Sequence, residues 1–432
     1  MRVWLVTTGE PLPSDGANCR LLRTGLIAEV LSRRGHAVVW WTSAFDHLHK
    51  RHRSLKDETI LIRPSYEIRI LRSVGYTKNV SIRRWVDHAA LAGRFSARAR
   101  TETRPDLIVC SWPTPELAWA SVRYGRKAVV PVILDIRDLW PDIFTDLLPV
   151  SWRRLGHACL TPLARLTTRV CAEADAIMGI TAPFVQWGTE YAGRALRWTD
   201  RDFPLAYREE IPDAESLDRA EQEWDRQLGA TAGNAFLVCC FMSKGRQVDL
   251  APVLDAARQL GGRSKVRFIQ CGNLREYERS ARGCDSVVFP GWVGAAEIWT
   301  LLRRAAVGLM PYRNRFDFAL SIPNKTLEYL SAGLPVISAL SGTVECLRQE
   351  SNCGRTYDGA DQLVQILEEL SARPDLLANM SSNARELFTR RFQAEKVYSD
   401  LADHLEALAR VGCNMSPSLR LALTGPQMRV PA

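Results

Sequence analysis

Short apolar runs recur along the chain, with room for one helix between successive runs, and this spacing constrains the fold more than any other feature. They fall at residues 2–8, 36–41, 107–111, 128–135 and 176–180, then at 235–242, 265–271, 285–289 and 307–311, and again from Val336. Strands alternating with helices predict an α/β chain with parallel, doubly wound sheets. At about 100–200 residues per domain, 432 residues predict two domains. The break is expected where the chain turns polar and poorly periodic. The boundaries drawn are 1–195, a linker at 196–232 with a helical patch near 214–228, 233–393, a last helix at 394–411 packing back on the first domain, and a tail at 412–432.

No segment approaches the roughly 18 unbroken apolar residues of a membrane span. Residues 3–8 are too short for a signal sequence, so the chain is expected in the cytosol. The 11 cysteines are odd in number and include no Cys-x-x-Cys, which fits neither a zinc site nor a disulfide framework; buried free thiols are expected. Charge is uneven. Residues 1–200 carry 29 Lys and Arg against 19 Asp and Glu, so the net charge of +9 sits wholly in that half. An anionic partner is expected there, such as a membrane surface or a phosphorylated acceptor. The helix expected at 81–104 sets Ile82, Trp85, Val86, Ala89, Leu91 and Phe95 against six arginines. It fits either a helix lying on anionic lipid or a surface helix packed on the sheet. The basic residues lack the ordered aromatic interleaving of an RNA-binding motif, and no nucleic-acid partner is expected.

Residues 318–340 concentrate the polar chemistry. They read as loop, helix start, short helix, glycine stop and buried strand. Pro323 suits a first helical turn and Gly333 a left-handed helix end, while Pro335 blocks continuation. Backbone N–H groups at Ser321, Ile322, Asn324 and Lys325 would face an anion, with the helix dipole behind them. Lys325 adds a full charge, and Glu328, one turn inside, can accept from a pair of hydroxyls. Diphosphate on the helix start and ribose on the carboxylate would suit a nucleotide.

Other loops close strands on the rim where doubly wound sheets bind ligands. Ser243-Lys244-Gly245-Arg246 offers two cations beside a glycine at a helix start. Pro290-Gly291-Trp292-Val293 and Gly272-Asn273 end further strands. Asp135-Ile136-Arg137-Asp138-Leu139-Trp140-Pro141-Asp142 is read as a site edge or as helix capping around a buried tryptophan. Gly16, in the first strand–helix loop, either lets backbone approach a phosphate or is a plain turn glycine.

These pieces, in this order, resemble the retaining GT-B glycosyltransferases of family four. The second half, from Lys244-Gly245 through Gly291-Trp292-Val293, Val307–Tyr312, Pro323-Asn324-Lys325-Thr326-Leu327-Glu328-Tyr329 and Gly333-Leu334-Pro335-Val336, is similar to their donor-binding domain. Arg34-Gly35-His36-Ala37-Val38, Arg137-Asp138-Leu139-Trp140-Pro141 and Ala176–Thr181 look like the acceptor domain of bacterial O-antigen and capsule enzymes. The resemblance implies two Rossmann-like domains facing a central cleft and a retaining transfer from a nucleotide-diphosphate sugar to a glycan or lipid-linked acceptor. It implies no metal and no further cofactor, in a cytoplasmic enzyme of polysaccharide biosynthesis on the inner face of the membrane. Asp200-Arg201-Asp202 matches the Asp-x-Asp of the other major fold but lies in the expected linker and is discounted. Glu328 matches the second glutamate of the Glu-x7-Glu motif, which holds the ribose. Lys244 or Arg246, with Lys325, would balance the diphosphate, and Ser321 and Ile322 would meet the leaving group or the sugar. Gly291-Trp292-Val293 would border the base, and Asp138 or Arg137 would order the acceptor. Leu320 stands where the first glutamate belongs, and Met242-Ser243 replace an expected glycine. A deoxy or N-acetylamino sugar, or loss of activity, would account for Leu320. A nucleotide-sugar epimerase and a non-catalytic binding protein of the same fold are the alternative functions.

Overall fold

The computed structural model describes residues 1–16, 19–146, 148–229, 235–242, 245, 247–261 and 264–414. The chain divides into two compact units. The first comprises Met1–Pro204 with Ala394–Ala432, and the second Leu205–Gln393.

The described residues of the first unit form an eight-stranded sheet. Its order is Arg201–Asp202, Ala176–Gly179, Val132–Ile136, Leu107–Trp112, Arg2–Val6, Ala37–Ser43, Tyr66–Leu71 and Glu58–Arg63. Every neighbouring pair is parallel except the last, an antiparallel hairpin at the edge. The five expected strands are in place, with ends shifted by a few residues. The hairpin was not anticipated, because an edge strand such as Glu58–Arg63 stays largely in water and its apolar run, Ile60-Leu61-Ile62, is only three residues long. Its partner shows the signal that was available: Tyr66, Ile68 and Ile70 alternate inward. The core is aromatic, with Trp4 edge-on to Trp41 at 5.1 Å and Phe95 edge-on to Trp41 at 5.3 Å.

The helix expected at 81–104 spans Ile82–Arg98, and the Ser81 side chain caps it by accepting from the Arg84 N–H. Its two halves differ. Leu91 and Phe95 are buried, whereas Ile82 is 84% exposed and Trp85 and Val86 are about half exposed. The last helix, Ala394–Asn414, packs on Arg23–Arg33. Arg34 pairs with Asp403 at 2.5 Å and Glu406 at 3.2 Å, and His36 meets Glu406 at 2.9 Å.

The stretch expected as a linker is shared between the units. Arg201–Asp202 adds an edge strand to the first sheet. Beside it the buried Asp200 accepts from the Ile177 N–H and from Arg194. That structural duty accounts for the Asp200-Arg201-Asp202 pattern. Ala214–Leu228 is a helix of the second unit, anchored by Trp224, whose indole N–H donates to the Glu297 carbonyl at 3.0 Å.

In the second unit the described residues form a six-stranded, all-parallel sheet. Its order is Val287–Gly291, Val266–Cys271, Phe236–Phe241, Val307–Met310, Val336–Ser338 and Gly354–Thr356. The progression reverses between Phe236–Phe241 and Val307–Met310. Adjacent Cys239 and Cys240 point into opposite cores, as the pleat requires. Burial pushes both thiols up and takes Cys271 to about 12. The described cysteines are free, although Cys159 and Cys346 are exposed.

Candidate functional site

The reversal in the second sheet opens a crevice beyond the carboxyl ends of its two central strands, where ligands of doubly wound sheets bind. A pocket of about 280 Å³ lies there. Phe241 and Met242 reach it from one central strand, Cys271 and Gly272 from the next, and Tyr312 from just beyond Met310. Trp292, Val293 and Ile298 form another wall, and Gln247 and Lys325 supply polar groups. Trp292 is 80% exposed, so its ring face is open to solvent at the pocket. Gly291 sets it there by turning at φ +81°, and its carbonyl accepts from the Gly272 N–H at 2.7 Å. Of the residues singled out in sequence, Trp292, Val293 and Lys325 line this one pocket, with Gly291 at its edge. Tyr312, Phe241 and Ile298 were not singled out, since apolar residues at strand ends and helix starts resemble core in sequence, and Gln247 was not because it is a lone polar residue in a loop.

The helix below the pocket is Asn324–Ser331, with Pro323 as its N-cap rather than its first turn. Asn324 and Lys325, as first-turn residues, have no intrahelical acceptor for their N–H groups. Ile322 is buried in the core behind them. The N–H expectation fails at Ser321. Residues 316–320 form a short helix rather than a loop, and the Ser321 N–H ends it by donating to the Phe318 carbonyl at 3.3 Å. Leu320 closes that helix, one turn after Asp317, which pairs with Arg315 at 3.1 Å. Burial pushes the Asp317 carboxyl up against the pull of Arg315. Glu328 is 2% exposed, and Lys325 Nζ lies 2.7 Å from its carboxylate and 5.6 Å from the centre of the Phe241 ring. Lys244 and Arg246 lie outside the described residues.

In the first unit the stretch 135–142 is tied into the fold. Arg23 grips the fully buried Asp135 through two bonds of 3.0 Å and also donates to the carbonyls of Phe203 and Pro204. Arg137 donates to Asp135 at 2.8 Å, to Thr24 at 3.0 Å and to Glu10. Burial alone would raise the Asp135 carboxyl, but the two guanidinium charges outweigh it and hold it down at about 2. Burial likewise opposes charge on Arg137, and Asp135 with Glu10 overcomes it. Arg137 is therefore committed to holding this loop, which makes it a positioning residue. Asp138 accepts from the Leu139 N–H and the Trp140 indole. Asp142 accepts from Trp187 and Tyr191, each at 2.7 Å. Arg84 stacks on Trp140 at 4.6 Å, bringing the basic helix start to this loop. Gly16 is exposed at φ +147° with nothing near its Cα hydrogen positions; the two residues after it lie outside the described set. Among the described residues, no group of His, Cys, Asp and Glu is placed to hold a metal ion, and no helix is long and apolar enough to cross a membrane.

Residues 236–373, which carry the pocket, match the family model described as glycosyl transferases group 1. Sucrose-phosphate synthase from Thermosynechococcus elongatus superposes with a TM-score of 0.70 at 14% identity, over 95% of this chain and 99% of that one. The fold is GT-B. Two further GT-B structures are similar at 14% identity. Anabaena HepE in complex with UDP-glucose has a TM-score of 0.62, covering 94% of this chain and all of that one. WaaG, a glycosyltransferase involved in lipopolysaccharide biosynthesis, has a TM-score of 0.60, covering 96% of this chain and all of that one. A comparison with curated protein sequences finds no match. The GT-B assignment gives the reversal in the second sheet its meaning, because the group 1 match spans all six strands that surround it.

Proposed function

We propose that the protein is a retaining glycosyltransferase that moves a sugar from a nucleoside-diphosphate donor to an acceptor hydroxyl. One observation carries the reading: the pocket at the strand reversal is lined both by the open face of Trp292 and by Lys325, whose ammonium pairs with the buried Glu328 at 2.7 Å. A base against Trp292, a ribose on Glu328 and a diphosphate at Lys325 and the helix start use each group as its chemistry allows. UDP is the first nucleotide to test, since HepE is complexed with UDP-glucose.

In this mechanism the glycosidic C–O bond breaks through an oxocarbenium-like transition state, and charge grows on the departing diphosphate. Lys325 and the N–H groups of Ile322, Asn324 and Lys325 are fixed before the reaction, so they stabilise that charge without reorganising. The acceptor hydroxyl attacks on the face the leaving group vacates, and a diphosphate oxygen takes its proton. No enzyme nucleophile and no metal is required. The acceptor is a glycan or a lipid-linked diphosphate of surface polysaccharide synthesis, met at an anionic membrane. The basic, outward-facing start of the helix Ile82–Arg98 supports that location.

The test is a thermal-shift screen against UDP, GDP and their sugars, followed by NMR of the product's anomeric configuration. Stabilisation by one nucleotide and a product with the donor's anomeric configuration are expected. No response to any nucleotide overturns the donor assignment, an inverted product overturns retention, and an epimerised free donor marks an epimerase.

A further inference from the structure

A second cavity, of about 470 Å³, lies in the first unit between the helices Ile82–Arg98 and Pro115–Ala128. It sits at the edge where the strands begin, opposite the strand ends that carry residues 135–138. The Arg104 guanidinium marks that edge by donating to the Val129 carbonyl at 2.7 Å, just ahead of the strands Leu107–Trp112 and Val132–Ile136. Arg100, Arg123 and Lys127 line the cavity, together with Ser96 and Tyr124, and no carboxylate does. Tyr124 is braced from behind by Trp4, with ring centres 4.9 Å apart.

Unpaired cations gather around one concavity here. Several cations elsewhere on the first unit have carboxylate partners, such as Arg69 with Glu67 and Glu102, Arg126 with Glu173, and Arg34 with Asp403. Arg100, Arg123 and Lys127 have no ion-pair or hydrogen-bond partner among the described residues. Three like charges around one concavity repel each other, and a multiply charged anion between them reverses the sign of that energy. Guanidinium and ammonium donors together match phosphate oxygens. The volume exceeds what a bare ion needs and falls in the range of roughly 300–1,000 Å³ of small-molecule sites. Tyr124 and the methyl groups of Ala120 and Ala128 provide an apolar wall for an organic part.

We infer that this cavity of the first unit is a second ligand site, for a phosphate-bearing organic anion. A soluble phosphate ester and a phospholipid headgroup present the same chemistry.

The full-length chain is titrated by calorimetry at low salt with glucose 6-phosphate and with inorganic pyrophosphate, and sedimented with phosphatidylglycerol/phosphatidylcholine vesicles. The variants are Arg123→Ala/Lys127→Ala, the charge-keeping Arg123→Lys/Lys127→Arg, and Lys325→Ala as control for the other anion site. Saturable binding of a soluble probe is expected. It should be weakened about tenfold by the alanine pair, kept by the charge-keeping pair and indifferent to Lys325→Ala. Vesicle binding lost in the alanine pair, with no soluble probe bound, assigns the headgroup as ligand. Absence of binding in both arms, or binding that the alanine pair leaves unchanged, overturns the proposal. The substituted side chains are exposed, so melting temperatures should not move.

Discussion

Lys325 and Glu328 form an ion pair of 2.7 Å across one turn of the helix Asn324–Ser331, and the two partners differ in exposure: 27% for the lysine side chain and 2% for the glutamate. A buried carboxylate that loses a charged partner is destabilising. Lys325→Ala should therefore lower both stability and turnover, with a loss of about 10²–10³ in rate if the lysine stabilises the departing diphosphate. Glu328→Ala removes the buried charge itself. It should leave melting less affected but abolish nucleotide-induced stabilisation. The measurement is melting temperature with and without nucleotide; equal nucleotide shifts in wild type and Glu328→Ala would remove Glu328 from the ribose.

Trp292→Ala separates binding from folding. An indole that is 80% exposed contributes little to the core, so stability should stay within about 0.5 kcal/mol. Loss of stacking should cost about 1–3 kcal/mol of nucleotide affinity. Calorimetric titration checks it, and unchanged affinity would place the base elsewhere.

Asp135→Asn tests the buried network. Removing the shared carboxylate leaves Arg23 and Arg137 facing each other, and about 3–5 kcal/mol of stability should be lost at neutral pH. The Asp135 carboxyl is held at about 2 in the folded protein, below the unfolded value of roughly 3.9. Its contribution is complete above about pH 4 and disappears as the pH falls toward 2. Denaturant melts across that window should show a steeper acid loss in wild type than in the variant.

Gly342→Ala should disturb the donor side. This glycine sits at φ +80°, and an added Cβ would lie 2.3 Å from the Ala319 carbonyl oxygen. The helix Phe316–Leu320 must then shift, moving Leu320. A stability loss of about 1–3 kcal/mol, with a raised donor KM, is expected from steady-state kinetics and thermal melts.

Ile82→Ser/Trp85→Ser tests the membrane reading. Both side chains face water, so folding should be unchanged while sedimentation with anionic vesicles at low salt falls. Arg84 is a poorer probe, because it stacks on Trp140 and donates to the Asn79 carbonyl. Equal vesicle binding by wild type and variant would count against docking through this helix.

Local signals carried most of the architecture. Apolar runs such as Phe236–Phe241 and Val307–Met310 bury both faces and are visible as runs. Gly333 adopts the left-handed conformation expected of it, at φ +72°. The helix within residues 318–340 and its charged first turn were legible because a helix start and its charge pattern lie within a few residues of each other. What misled was also local. Ser321 looked available until a preceding helical turn claimed its N–H, and Arg201-Asp202 looked like a linker until a sheet edge took it up.

The sequence by itself determined the two α/β halves and the short helix that begins beside Pro323 and ends at Gly333, since each depends on residues a turn or a strand apart. Tertiary structure alone decided which distant groups meet. Arg23 finds Asp135 across 112 positions and Arg137 finds Glu10 across 127. The pocket draws its walls from four strand ends and two helix starts, and Arg100, just past the end of another helix, reaches the same cavity as Arg123 and Lys127. Burial makes such meetings energetically large, because a charge removed from water must find its partner wherever the chain brings one. No local pattern encodes where that partner lies.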